Sequence, residues 1–199
     1  MSKRVCPWWL GYWLVNPLRR LIHNPDKILA PFVTAGMTVL DVGPGMGFFS
    51  LPLAGMAGPG GKVVCVDLQE KMLLALQRRA AAAQLAERIV TRVCTPTSLC
   101  LDDFSGKIDF ALAFAVVHEI PDPASFFADL SRALKPGAFC LVAEPKGHVS
   151  VQEFEDSLAI AGQQGLRRVG SRRITWSHAA LLEKGNNDDH KHFGEAKES

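Results

Sequence analysis

The chain has 199 residues, 48% of them hydrophobic and 21% charged, with a formal net charge of +2. That is enough for one domain with a sizeable core and too little for two ordinary ones. So weak a charge gathers no nucleic acid by long-range attraction, and the richest apolar stretch, residues 8–15, is far too short to cross a membrane.

The first 33 residues precede any strand signal and are read as an N-terminal aromatic and helical lid. Three of the four tryptophans, Trp8, Trp9 and Trp13, gather there with the only tyrosine, Tyr12. Such a segment folds either as an apolar clasp on the core or as a cover over a pocket. Asn16-Pro17 and Asn24-Pro25 each pair a capping side chain with a proline at the first helical position, predicting short helices over 17–23 and 25–32. Residues 38–42 form the first strand. A glycine turn follows, then a helix over 48–56 with a bend expected at Pro52. Residues 62–67 are the second strand. The spacing of Leu73, Leu76, Ala80 and Ala83 predicts a helix over 70–85. Strands follow at 88–94 and 108–115. Asp122-Pro123 opens a helix that should run to Lys135-Pro136-Gly137. A fifth strand covers 138–143, and Ser150 to Glu153 is a capping box for the next helix. Strands at 166–171 and 175–183 close the series, and residues 185–199 are a polar tail expected to be disordered.

Strand and helix alternate, so the expected class is α/β: a doubly wound, mostly parallel sheet over residues 34–184. The last two strands are joined too tightly for a helical crossover, so the last should run antiparallel. Of the five cysteines, Cys65 and Cys140 sit in apolar strand runs and read as small core residues. No cysteine pair has metal spacing and no secretory signal is visible, so a cytoplasmic setting and no metal are expected.

The chemistry centres on the first glycine turn. Val39, Leu40, Asp41 and Val42 end a buried strand, and Gly43, Pro44, Gly45, Met46 and Gly47 follow. The spacing is Gly-x-Gly-x-Gly, and Phe48 stands where a dinucleotide fingerprint has its last glycine. A pyrophosphate does not favour Asp41 beside it, whereas a cationic amine does. The turn therefore fits a zwitterion carrying an adenosine, which describes S-adenosyl-L-methionine. Asp67 ends the second strand, where a carboxylate can accept both ribose hydroxyls or can simply start the next helix.

Leu40 to Gly47 resembles the glycine-rich motif of the class I, seven-strand S-adenosylmethionine-dependent methyltransferases, in their small-molecule branch. The resemblance extends over about residues 34–184 and implies a seven-stranded sheet with an antiparallel last strand. It also implies that Asp67 holds the ribose and Leu68 packs on adenine. The family's usual acid after the third strand is replaced here by Thr95, and Pro96 lacks an N–H. Thr95, Thr97 or Ser98, or a carbonyl, must then meet the adenine amine. Backbone at Ala113 and Phe114 would meet the methionine end, with His118 and Glu119 at the methyl group's destination. His118 is either a general base or part of the pocket floor. Glu144 and His148 follow the fifth strand and could share that pocket with Trp9 and Trp13. The implied partner is a small-molecule methyl acceptor with an O, N, S or C nucleophile. The competing readings are a nicotinamide-dependent oxidoreductase and a non-enzymatic S-adenosylmethionine-binding module.

Overall fold

A computed structural model describes residues 19–186. Trp8, Trp9, Trp13, the Asn16-Pro17 helix start and most of the polar tail lie outside that range. Within it, α1 (Arg19–Ile22) and α2 (Pro25–Leu29) lead into β1 (Thr38–Val42), α3 (Ser50–Ala57), β2 (Lys62–Asp67), α4 (Glu70–Ala82) and β3 (Ile89–Val93). The second half holds β4 (Ile108–Phe114), α5 (Pro123–Ala133), β5 (Leu134–Pro145), α6 (Val151–Gln163), β6 (Leu166–Ser171) and β7 (Ser177–Lys184).

The seven strands form one sheet in the order β3-β2-β1-β4-β5-β7-β6. β1 to β5 pair in parallel, and β7 runs antiparallel to both β5 and β6. This is the expected doubly wound sheet with an antiparallel last strand. The strand order reverses at β1, whose neighbours are β2 and β4, so a crevice opens there beyond the carboxyl ends of the strands.

The central strands are apolar on both faces because helices cover both. Leu40, Val42, Val64 and Val66 share one side with Phe126, Phe127 and Leu130 of α5 and Phe154 and Leu158 of α6. Val39, Val63, Phe110 and Leu112 share the other with Leu29 of α2, Leu53 of α3 and Leu73 and Leu76 of α4. Each such side chain, fully buried, contributes roughly 1.5–3 kcal/mol.

Local capping follows the sequence. The Asn24 side chain accepts from the Asp26 and Lys27 N–H groups, and Asp122 accepts from those of Ala124 and Ser125. Ser150 and Glu153 complete the capping box. The helix expected over 25–32 stops at Leu29, the last strand starts at Ser177 and not at 175, and three further boundaries differ for local reasons. α3 starts at Ser50, so Pro52 falls in its first turn, where the missing N–H has no intrahelical partner. The proline therefore marks the helix start instead of bending its middle. α4 stops at Ala82 because Gln84 takes φ +56°, which leaves Ala83 exposed and outside the apolar stripe. α5 stops at Ala133, and β5 begins at once. Leu134 already pairs with Ile108, and a bulge around Pro136-Gly137 precedes the next pair, Phe110 with Phe139. A proline cannot donate to the ladder, so the irregularity sits where it must.

Candidate active site

A cleft of about 890 Å³ occupies the reversal point. One wall is the turn after β1. Gly43, Gly45 and Gly47 have φ of +67°, +53° and +87°, a region that side chains other than glycine's rarely enter. A Cβ on Gly43 would come within 2.7 Å of Val116 Cγ2, and one on Gly47 within 2.3 Å of Leu76 Cδ1. A Cβ on Gly45 would meet no atom of the described residues within 4 Å. Two of the glycines are thus demanded by packing as well as conformation, while the third faces open cleft.

Asp41 lies beneath this turn, 2% exposed, and accepts a hydrogen bond from Ser50 Oγ at 2.6 Å. Burial pushes its carboxyl up from 3.8 to about 7. The Ser50 hydroxyl opposes the rise, nearby Asp67 adds to it, and Arg19 opposes it. Asp67 closes β2, and its Oδ1 accepts the Gln69 N–H at 2.9 Å. Burial raises this carboxyl to about 6, against the Gln69 and Gly45 N–H groups, with Glu119 adding to the rise. Asp67 therefore ties the glycine turn to the start of α4 and still has acceptor capacity on the cleft side. Leu68, 38% exposed, is an apolar surface beside it.

The wall beyond β3 is the loop from Cys94 to Leu99. Thr95 and Ser98 pair across it: Thr95 N donates to Ser98 O at 3.0 Å, and Ser98 N donates to Thr95 Oγ1 at 3.1 Å. Asp129 of α5 holds the loop from behind, its Oδ2 accepting from Ser98 Oγ at 3.0 Å and Leu99 N at 2.8 Å. Thr95, Thr97 and Ser98 all line the cleft, but the Thr95 and Ser98 hydroxyls also shape the loop. Asp129 escaped sequence reading because it is 30 residues from Leu99 and carries no local motif.

Beyond β4, Phe114, His118 and Glu119 line the cleft, while Ala113 stays inside the strand, fully buried. Glu144, at the end of β5, is 2% exposed and stands behind this segment. Its Oε1 accepts the Val116 N–H at 3.0 Å and the Val117 N–H at 2.8 Å. Its Oε2 meets His118 Nδ1 in a short contact. One buried carboxylate thus fixes both the turn and the imidazole, and His118 Nε2 is on the cleft side, 4.0 Å from Glu119 Oε1. The His148 ring lies 5.9 Å from that of His118 and also lines the cleft.

Two further residues reach the cleft without a sequence signal that marked them. Arg19 of α1 places its guanidinium 4.4 Å from the Phe48 ring centroid, beside Phe49 and Phe114. Burial lowers its pKa to about 10, with Asp41 opposing. Trp176, in the turn before β7, stands at the rim. Trp9 and Trp13 lie outside the described residues. Among the described residues no group of three or more His, Cys, Asp or Glu gathers as a metal site, and no helix is long and apolar enough to cross a membrane.

A family model described as a methyltransferase domain matches residues 40–142, from β1 to β5. The chain is 34% identical over 117 residues to a ubiquinone biosynthesis O-methyltransferase of Caulobacter vibrioides, covering 57% of this chain and 42% of that one. It is 32% identical over 121 residues to a nocamycin O-methyltransferase of Saccharothrix syringae, covering 60% and 41%. The chain thus spans about two fifths of the length of these curated relatives. A solved S-adenosylmethionine-dependent methyltransferase from Aquifex aeolicus superposes with a TM-score of 0.81 at 25% identity, covering 90% of this chain and all of that one. The glycine turn fits such a cofactor: Gly45 leaves a cradle that a Cβ would fill, and Asp67 stands at the end of the next strand. Fold, turn and family match decide between the two cofactors weighed from the sequence, and the chain belongs to the class I S-adenosylmethionine-dependent methyltransferases.

Proposed function

We propose that the protein methylates an oxygen nucleophile on a small molecule, with His118 as general base. The observation that carries this reading is the grip of buried Glu144 on His118 Nδ1, which turns Nε2 toward the cleft. S-adenosylmethionine, when bound, supplies a methyl group on a positively charged sulfur that leaves as a neutral thioether. Gly43, Gly45 and Asp67 would hold it, with Gly47, which does not line the cleft, fixing the turn against Leu76. Nε2 would accept the proton of an acceptor hydroxyl directed at the bound methyl group. The proton stays on the imidazole, where Glu144 stabilises the cation through Nδ1–H. Glu144 is then a positioning residue, and the walls of the cleft would hold the acceptor against the methyl donor. The two O-methyltransferase relatives support the choice of oxygen.

The test is transfer of a labelled methyl group to hydroxyl, amine and thiol acceptors. Hydroxyl compounds should be methylated. His118→Ala should cut turnover about a hundred- to ten-thousand-fold while cofactor affinity by calorimetry stays within about twofold. Transfer confined to amines or thiols, or full turnover in the variant, would remove the reading.

A further inference from the structure

The cleft is also lined by Pro145, Gly147 and His148, where β5 ends, and by Trp176 and Ser177, in the turn joining β6 to β7. That turn closes where Ser177 N donates to Ile174 O at 3.1 Å, the two residues pairing as a bridge. Trp176 is its third residue and takes φ +56°. Glycine or asparagine is the usual choice at a left-handed third position, and a bulky ring there is an outlier. Turn chemistry alone therefore does not select this tryptophan. Nor does packing: the residue is 69% exposed, although it lines the cleft. A ring recruited for the core would be buried.

The turn is nevertheless fixed from both sides. Lys146 N donates to Trp176 O at 2.9 Å, and His23 Nε2 donates to Thr175 O at 2.9 Å. Lys146 belongs to the same segment as His148, whose ring neighbours that of His118. Between them is Gly147, where a Cβ would meet no atom of the described residues within 4 Å and no left-handed backbone forbids a side chain. An exposed aromatic residue, a hydrogen-bonded mount and open space at Gly147 thus line the same cleft as the imidazole.

We propose that Trp176 determines acceptor specificity: its ring is a shelf for a flat conjugated acceptor whose hydroxyl points to His118, with Gly147 leaving room for the ring. The orientation toward His118 rests on the oxygen-transfer reading. Ring-on-ring contact favours offset or edge-on stacking, which a puckered ring of equal size cannot match.

Catechol and cyclohexane-1,2-diol share the two hydroxyls and differ in flatness. Their affinities are measured by calorimetry on the full chain with S-adenosylhomocysteine bound, so that no turnover enters. The unaltered protein should prefer catechol by about tenfold. Trp176→Gly should abolish the preference while the thermal midpoint holds or rises, because glycine suits the turn. Trp176→Phe should restore part of it, and Gly147→Leu should weaken catechol binding with cofactor affinity unchanged. No catechol binding or no preference in the unaltered protein, a preference kept in Trp176→Gly, or a fall in that variant's midpoint overturns the proposal. A preference that persists in a protein that methylates no hydroxyl would overturn the oxygen-transfer reading and uphold the shelf.

Discussion

Gly45 differs from its two neighbouring glycines in one respect: among the described residues nothing opposes a side chain there except the backbone angle. On the reading proposed above, a valine would fill the space that the cofactor takes. Gly45→Val should therefore raise the dissociation constant for S-adenosylmethionine at least about a hundredfold. The left-handed backbone should cost only about 1–2 kcal/mol of stability, leaving the sheet folded. Calorimetric titration and a thermal melt on the same variant check both halves, and normal affinity would rule out this cradle. Gly47 behaves otherwise, since a Cβ there runs into Leu76 of α4 and would disturb the fold before any ligand arrived.

Among the elements, the loop from Cys94 to Leu99 shows how distant support replaces a missing local residue. With Thr95 in place of an acid, the loop keeps its shape through its own hydroxyls and through Asp129 on α5. Asp129→Ala removes the one oxygen that accepts two hydrogen bonds from this part-buried loop. Cofactor affinity should fall about fivefold, the equivalent of about 1 kcal/mol, while Gly45 and Asp67 keep their geometry. Unchanged affinity would show that the loop shapes nothing the cofactor uses. The same element marks where the sequence stops being readable. Capping side chains act over two to four residues, so Asn24, Asp122 and Ser150 announced their helices. The glycine turn announced the cleft because its chemistry lies within a few residues. The tie from Glu144 to His118 spans 26 residues and exists only once β4 and β5 lie side by side. Glu144 could be placed at the sheet's carboxyl edge from the sequence, but not behind His118 and out of the cleft. Trp176 read as part of a strand because its turn residue is the one a turn would not choose.

For the molecule as a whole, two carboxyls held above their ordinary range couple folding to pH. Burial lifts Asp41 to about 7 and Asp67 to about 6, each from 3.8. In the unfolded chain both lose their protons near pH 4, whereas the folded chain keeps them longer. Between about pH 4 and 7 the folded state thus binds more protons, and the stability these groups contribute in acid is lost as pH rises. The slope is at most about 1.4 kcal/mol per pH unit for each proton held. Denaturant melts across that range should show a shallower fall for Asp41→Asn, which keeps an acceptor for Ser50 Oγ. A slope identical to that of the unaltered protein would exclude Asp41 as its source. Cofactor binding carries the opposite sign, because a cationic sulfonium favours the ionised carboxyls. Affinity for S-adenosylmethionine should rise from pH 5 to 7 more steeply than affinity for S-adenosylhomocysteine, with proton release detectable in buffers of different ionisation enthalpy.

β7 is the last described strand to leave the ribosome, yet it lies between β5 and β6. The cofactor half needs nothing beyond β4 and β5 to finish its parallel ladder. β5 itself, with Leu141 and Val142 fully buried in the finished fold, must wait for Ser177–Lys184 to cover its second edge. An open apolar strand edge is a template for pairing with a foreign chain. At about 5–20 residues per second, the stretch from residue 145 to residue 184 takes roughly 2–8 s to synthesise. Over that interval the nascent chain carries a nearly complete cofactor cradle beside an unguarded edge, and a chaperone that shields strand edges would have its effect there.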